Sequence, residues 1–470
     1  MKKIEFRHYL CLIPVGILLV VMIPNLSLPL FYDEAWSYFP AIRKMAQVGP
    51  SLFPGNLSID DCKGHPQFFF FISSLWLKLW STNIVLLRIL PLLISIGLLI
   101  TIFYGLQKIA SHEAAFIGSL LVSVQSMFLA QSIMLLPEIL MTFLFVLSFV
   151  FFFRKQYQWY AITSSLMVLT KETAIIFPLM FGLFYLFALI PNKNRKEFRI
   201  STLLQLMAPG LIYAGFLLLH YMAYRVVLYS DHLGYISFDW PVIHDKIDRA
   251  YSFIFIRYGR QAISLTAIAA LIIYIFQRQI NWRFLMIAAL SFLSFMAFSM
   301  FNFYTQRYGL VAMVIFILLF AFVLGQLHLN ALIKYGIALI LAAFCLYNTL
   351  NIKENSDVDL GYVETIRVYE DIVHYCEEQK MQNEPFAVTF NMIFALNDKD
   401  LGYVTGPKEF SKIMDWKHID EARYFIFEST ASDPIPQITK ATEHFKLVKS
   451  FQNKHAWGHI YENPDFKNPE

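Results

Sequence analysis

An Asp33–Glu34 pair follows the first long apolar run directly, in Leu30-Phe-Tyr-Asp-Glu-Ala-Trp-Ser-Tyr38. Two carboxylates at the mouth of an apolar span are costly unless they stay wet, find partners or do chemistry. Adjacent helical residues point about 100° apart, so one of the two faces a substrate. Asp33 is the expected one, as a general base, and helix capping is the competing role. Glu138, after Pro137, also suits an ordinary helix start. Coming from a separate loop, it can instead join Asp33 to orient an acceptor or hold a divalent ion. Four cations map to the same side: His65, Arg88, Lys171 beside Glu172, and Arg307 followed by Tyr308. Each has a bland alternative as a loop histidine, a lipid anchor or a surface ion pair. As a set around two acidic positions, they suit a phosphate leaving group beside a base. The chain carries no P-loop, GxGxxG, zinc spacing or GxSxG elbow, so a soluble nucleotide donor is not indicated.

These residues need a scaffold, and composition says which kind. The 470 residues are 57% hydrophobic and 15% charged, with 46 Phe, and the mean hydropathy is +0.52. That is the profile of a polytopic α-helical membrane protein. Apolar runs near 9–29, 84–107, 114–133, 137–153, 158–170, 173–191, 203–224, 259–277, 284–302, 309–327 and 332–350 predict about eleven spans. The first run has no small-residue cleavage site after it and reads as a retained helix rather than a signal peptide. With the N-terminus inside, every predicted cytoplasmic segment carries a basic residue: Lys2, Lys3 and Arg7; Lys108; Arg154 and Lys155; Lys193, Arg195, Lys196 and Arg199; Arg278 and Arg283; and Lys334. This is the positive-inside pattern. It places the candidate residues on the extracytoplasmic face of the plasma (inner) membrane.

The segment 67–80 is apolar but too short to span and reads as interfacial, with Trp76 and Trp80 at headgroup level. Residues 34–48 read as a second juxtamembrane helix, so 31–83 forms a structured cap, and 225–258 is a second large outer loop. Charge then shifts: residues 1–352 hold 25 Lys+Arg against 13 Asp+Glu, whereas 353–470 hold 13 against 21. The expected division is a membrane domain at 1–352 and a soluble extracytoplasmic α/β domain at 353–470. The latter has an amphipathic helix at 362–381 and strands beginning at Pro385, Arg423, Lys446 and Gly458. Cys62 and Cys376 share the outer side, and their pairing is left open. Nothing suggests nucleic acid.

At these residues the chain resembles the GT-C glycosyltransferases, specifically the bacterial relatives of protein O-mannosyltransferases and the lipid A aminoarabinose transferases. The matching pieces, in order, are Phe31-Tyr-Asp-Glu-Ala-Trp, Gly64-His-Pro-Gln-Phe-Phe-Phe-Phe, Leu87-Arg-Ile-Leu-Pro91, Pro137-Glu138, Lys171-Glu-Thr-Ala and Arg307-Tyr308. Gln67 stands in place of a second proline and Glu138 where Asp is often found. The resemblance covers roughly residues 1–330. It implies transfer of a sugar from a polyprenyl-phosphate carrier to an acceptor hydroxyl, with inversion. Asp33 would be the base, Glu34 and Glu138 would orient the acceptor or hold a metal ion, and His65, Arg88, Lys171, Arg307 and Tyr308 would hold the donor phosphate. The acceptor is a glycan, lipid or protein. Two other classes remain: a polyprenyl-pyrophosphate-dependent ligase or polymerase, and a lipid or sugar transporter. A transporter is expected to place its charges near the bilayer midplane within repeated halves, which this sequence lacks.

Overall fold

The computed structural model describes residues 6–189, 200–277, 281–354, 356–430 and 435–467. Lys2, Lys3, the basic cluster Lys193 to Arg199, and Arg278 lie outside them. The chain opens with α1 (Leu12–Met22), α2 (Phe39–Val48), α3 (Ile59–Cys62), α4 (Phe68–Trp80) and α5 (Ile84–Ile109). It continues through α6 (His112–Ser123), α7 (Ser126–Gln131), α8 (Pro137–Phe153), α9 (Tyr157–Val168), α10 (Ile176–Leu189) and α11 (Ile200–Tyr224). Then come α12 (Ser230–Gly234), α13 (Trp240–Tyr251), α14 (Arg260–Phe276), α15 (Trp282–Phe301), α16 (Leu310–Gln326) and α17 (Ala331–Asn351).

Among the described residues each of the eleven apolar runs lies mainly on helix, but not all on uninterrupted long ones. Among the described residues, five helices are long and apolar enough to cross a membrane: α5, α11, α15, α16 with its lead-in from Gln306, and α17. A sixth forms if the pair 240–256 and 260–276, bent by 80°, counts as one. The run at 114–133 is split between α6 and α7, and α9 has only 12 residues. At 1.5 Å per residue, a helix of that length covers about 18 Å. Helices apolar on every side are core helices, and α16, packed by α6, α8, α14 and α15, is 83% buried over its span window.

The segment 34–48 begins as a π-helical turn, Glu34–Tyr38, before α2. Pro40 supplies the reason, since its ring would clash with the Trp36 carbonyl of an ordinary α-turn. The widened turn closes instead through Phe39 N–H to the Glu34 carbonyl. Tyr32, in the left-handed region at φ 52°, swings the chain out of the preceding segment to start this turn.

Beyond α17, α18 (Gly361–Glu378), α19 (Phe390–Asn397) and α20 (Ile435–Ala441) accompany a five-stranded sheet. Its strands are β1 (Phe386–Val388), β2 (Ile413–Asp415), β3 (Tyr424–Glu428), β4 (Lys446–Asn453) and β5 (Ala456–Glu462), in the order β2-β1-β3-β5-β4. The β1–β2 and β1–β3 pairs are parallel and the β3–β5 and β4–β5 pairs antiparallel. Helix α18 lies so close on β5 that a Cβ at Gly458 would stand 2.5 Å from Ile372 Cδ1. Strand β2 lacked a sequence signal because it is a three-residue edge strand.

The sheet region is seated on the 31–83 cap. Leu30 N–H donates to the Leu401 carbonyl at 2.9 Å. Arg43 forks onto Asp398 at 2.7 Å and Asp400 at 2.8 Å, and Phe31 stacks on Tyr362. The pairing left open for Cys62 and Cys376 is not made. Both are free and buried, Cys62 beside the Tyr224 hydroxyl and Cys376 on α18.

Candidate functional site

Arg307 is the centre of the charge cluster. It lies in the 3₁₀ turn Gln306–Gly309 that leads into α16, where the freed N–H groups and helix dipole favour negative partners. One guanidinium nitrogen pairs with Asp33 Oδ2. The other donates to Asp357 Oδ2 at 2.7 Å, and Nε stands 3.6 Å from Glu138 Oε1. That Glu138 oxygen accepts from Lys171 Nζ at 2.5 Å. Lys171 also sits 3.4 Å over the Tyr308 ring, a cation–π contact. Asp33, Glu138, Lys171 and the adjacent pair Arg307–Tyr308 therefore converge at helix ends from four separate stretches of chain.

Asp33 is the accessible member. Its side chain is 14% exposed, against 0% for Glu138 and 9% for Asp357. No side-chain cap is formed at Asp33, so the capping alternative does not account for it. Instead Trp36 Nε1 donates to Oδ1 at 2.6 Å.

Glu34 points the other way, as the 100° offset requires. It is fully buried, with Oε1 accepting from Leu135 N–H at 2.6 Å and Oε2 from Phe31 N–H at 3.2 Å. Arg88 approaches both oxygens at 3.4 and 3.5 Å and donates to the carbonyls of Leu28, Pro29 and Ile133. Burial pushes the Glu34 carboxyl pKa up, against the pull of Arg88. Arg88 and Glu34 thus form a buried clamp beneath the site: all the donors of Arg88 are spent inside the protein, which leaves none for a phosphate.

His65 is 14% exposed and bonds Glu172 Oε2 through Nδ1 at 2.9 Å. Its ring stacks on Tyr38, which also stacks on Phe70. His232 of α12 brings a second imidazole within 5.1 Å of His65. Gly64 permits that approach: its φ is +72°, and a Cβ would stand 2.8 Å from Tyr229 Cβ.

The divalent-ion role does not fit this donor set. Each candidate carboxylate already faces a cation, Arg307 at Asp33 and both Lys171 and Arg307 at Glu138. Among the described residues no group of three or more His, Cys, Asp and Glu is placed to hold a metal ion.

Sequence reading missed Asp357, Trp36, Tyr38 and His232. Trp36 had a signal, lying three residues after Asp33 on the same helical face. Asp357 had none, being one of 21 acidic residues after position 352. Burial pushes its carboxyl pKa up, with Arg307 opposing.

No protein-family model and no curated protein matches the sequence. Solved structures resemble its fold. ArnT from Cupriavidus metallidurans bound to undecaprenyl phosphate superposes with a TM-score of 0.58 at 12% identity, over 98% of this chain and 99% of that one. Its apo form gives 0.57 at 11%, over 96% and 97%. The Archaeoglobus fulgidus oligosaccharyltransferase AglB, in complex with an inhibitory peptide and a dolichol-phosphate, gives 0.51 at 12%, over 99% of this chain and 75% of that one. The chain shares the fold of these two proteins, as the GT-C resemblance leads one to expect. Within this fold the charge cluster gathers at one end of the bundle. An apolar groove of about 810 Å³ opens between α14, α15 and α16, lined by residues including Phe255, Leu265, Ile275, Trp282 and Phe316. Ile254, next to Phe255, abuts Gly309, two residues after Arg307.

Proposed function

We propose that the protein is a membrane glycosyltransferase that moves a sugar from a polyprenyl-phosphate carrier to an acceptor hydroxyl on the extracytoplasmic face, with inversion. The observation that carries this is Asp33, the most exposed of the three carboxylates on Arg307, aimed by Trp36 and Arg307 beside a buried lysine and a half-buried histidine. Residues 1–352 form the membrane domain and 353–470 an extracytoplasmic domain whose Asp357 completes the cluster.

In the reaction Asp33 takes the proton of the acceptor hydroxyl. The acceptor oxygen attacks the anomeric carbon from the face opposite the phosphate. The carbon–oxygen bond to phosphate breaks, and its electron pair leaves with the polyprenyl phosphate. Lys171, with His65 and its neighbour His232, meets the developing phosphate charge, a differential stabilisation that accelerates the step. Arg307 holds Asp33, Glu138 and Asp357 in register. Glu138 Oε2, buried without a hydrogen-bond partner among the described residues, is suited to receive the acceptor. The carrier's hydrocarbon chain lies in the groove along α14, whose near end borders the cluster through Ile254 and Phe255. ArnT and AglB have been seen with polyprenyl-type phosphates, which supports the carrier class. Charges gathered at one end of the bundle favour an enzyme over a transporter.

The test is label transfer from radiolabelled polyprenyl-phosphate sugars to a membrane extract, comparing wild type with Asp33→Asn. Loss of a general base is expected to lower the rate about 10²- to 10⁴-fold, with thermal stability retained and the wild-type product inverted at the anomeric carbon. Substantial activity in the variant removes Asp33 from the base role. No transfer from any monophosphate donor by folded wild type points to a pyrophosphate-linked donor or to transport.

A further inference from the structure

Around Trp36, whose indole N–H holds Asp33, the chain makes a further arrangement with Lys63 and Phe390, two residues that the reaction as described does not use. Lys63 follows α3 in the left-handed conformation, φ 50° and ψ 29°, a region that non-glycine residues seldom occupy and that clusters at functional sites. With Gly64 also left-handed, this turn carries the Lys63 ammonium over the Trp36 ring, 5.5 Å from its centroid. Trp36 is the residue whose indole N–H holds Asp33. Phe390, from the start of α19, meets the same indole edge-on at 5.9 Å and 69°. Lys63, Trp36 and Phe390 are each half-buried. Nearby cations are spent on carboxylates, Lys44 on Asp61 and Arg43 on Asp398 and Asp400. Lys63 makes no ion pair among the described residues. The result is a cation and an aromatic corner within one indole's width of the proposed base.

We propose that Lys63, Trp36 and Phe390 form the acceptor-binding edge of the site, and that the acceptor is an anionic glycan. Its phosphate or carboxylate sits on the Lys63 ammonium. The sugar that offers the hydroxyl packs against the Trp36–Phe390 corner, where one apolar ring face and one polar tip suit a sugar. The hydroxyl then points at Asp33. This deepens the glycosyl-transfer reading and rests on it. It also gives the C-terminal region a part in acceptor recognition, through Phe390.

The experiment uses the full-length protein in lipid nanodiscs and three probes: a methyl hexoside, its 6-phosphate and the corresponding methyl uronide. Each competes against label transfer to the membrane extract, and binding of each is read separately by saturation-transfer NMR. The expected result is that one or both charged glycosides bind and compete about tenfold better than the neutral one, the stronger of the two naming the anion. This preference fades with salt, is lost in Lys63→Gln and is kept in Lys63→Arg. Lys63→Gln should raise the acceptor KM about tenfold while moving the donor KM less than about twofold. Equal potency of all three probes on wild type, or a charge preference that persists in folded Lys63→Gln, overturns the proposal. Charge-selective, Lys63-dependent binding with no label moved from any donor keeps this site and overturns the transferase reading. Transfer without charge preference does the reverse.

Discussion

Arg88 and Arg307 are both buried arginines facing carboxylates, yet they have different work. Arg88 spends its donors on Glu34 and three carbonyls and is wholly enclosed. Arg307 bridges three carboxylates, one of which reaches solvent. Removing one partner of an enclosed pair leaves an uncompensated charge, which costs about 3–5 kcal/mol. Arg88→Met is therefore expected to lower the thermal midpoint sharply in detergent, whereas Asp33→Asn leaves it nearly in place. A midpoint for Arg88→Met equal to wild type would contradict the clamp. Trp36→Phe keeps an aromatic ring but removes the donor to Asp33 Oδ1. Misplacing a reacting group slightly costs up to about 10²-fold in rate, so this variant should lose kcat with its fold intact, which turnover and thermal unfolding measured together will show.

At the scale of elements, the informative features are breaks in regular helix. The π-turn at 34–38 carries Trp36, which holds Asp33, and Glu34, which faces Arg88. The 80° break between 240–256 and 260–276 is held by Tyr258, whose hydroxyl donates to Asp359 Oδ2 at 2.5 Å. Asp359 also accepts from the N–H groups of Glu354 and Gly361, and it lies two residues from Asp357 in the link to α18. Burial raises the Asp359 pKa from 3.8 to about 7. Between those values the folded state keeps a proton that the unfolded chain releases, so stability falls as pH rises and the loss is complete above about pH 7. A shift of that size corresponds to at most about 4 kcal/mol. The thermal midpoint should decline from pH 4 to pH 7 in wild type and decline less in Asp359→Asn. Parallel profiles for the two proteins would rule out this assignment.

At the scale of the molecule, the C-terminal sheet region and the 31–83 cap are in direct contact. Arg43 with Asp398 and Asp400, Phe31 with Tyr362, and Trp36 with Phe390 join them, and Asp357 reaches Arg307 from the intervening link. The Arg43 pairs are partly exposed and contribute about 1 kcal/mol in total, so Arg43→Asp alone should loosen the seat without unfolding the chain. Faster tryptic cleavage between residues 352 and 361, with slower transfer, is the expected signature. Adding Asp398→Arg to restore opposite charges should recover part of both. If cleavage is unaltered by Arg43→Asp, the seat is held by the aromatic contacts instead.

Sequence alone determined the helical membrane class, the positions of the apolar runs and the gathering of Asp33, His65, Glu138, Lys171 and Arg307 on one side. Apolar run length and charge placement are properties of local sequence, and alternation of spans converts them into sidedness. Tertiary structure decided the rest. It turned Arg88 inward, brought Asp357 across 50 residues to Arg307, and set His232 against His65. It also showed which apolar runs form long continuous helices and which are short or broken, because packing within a bundle, unlike hydropathy, determines where a helix can stop. These contacts depend on which helix ends meet in space. A polar residue at a helix end carries the same local signal whether its partner proves to be a carbonyl, a carboxylate or a substrate.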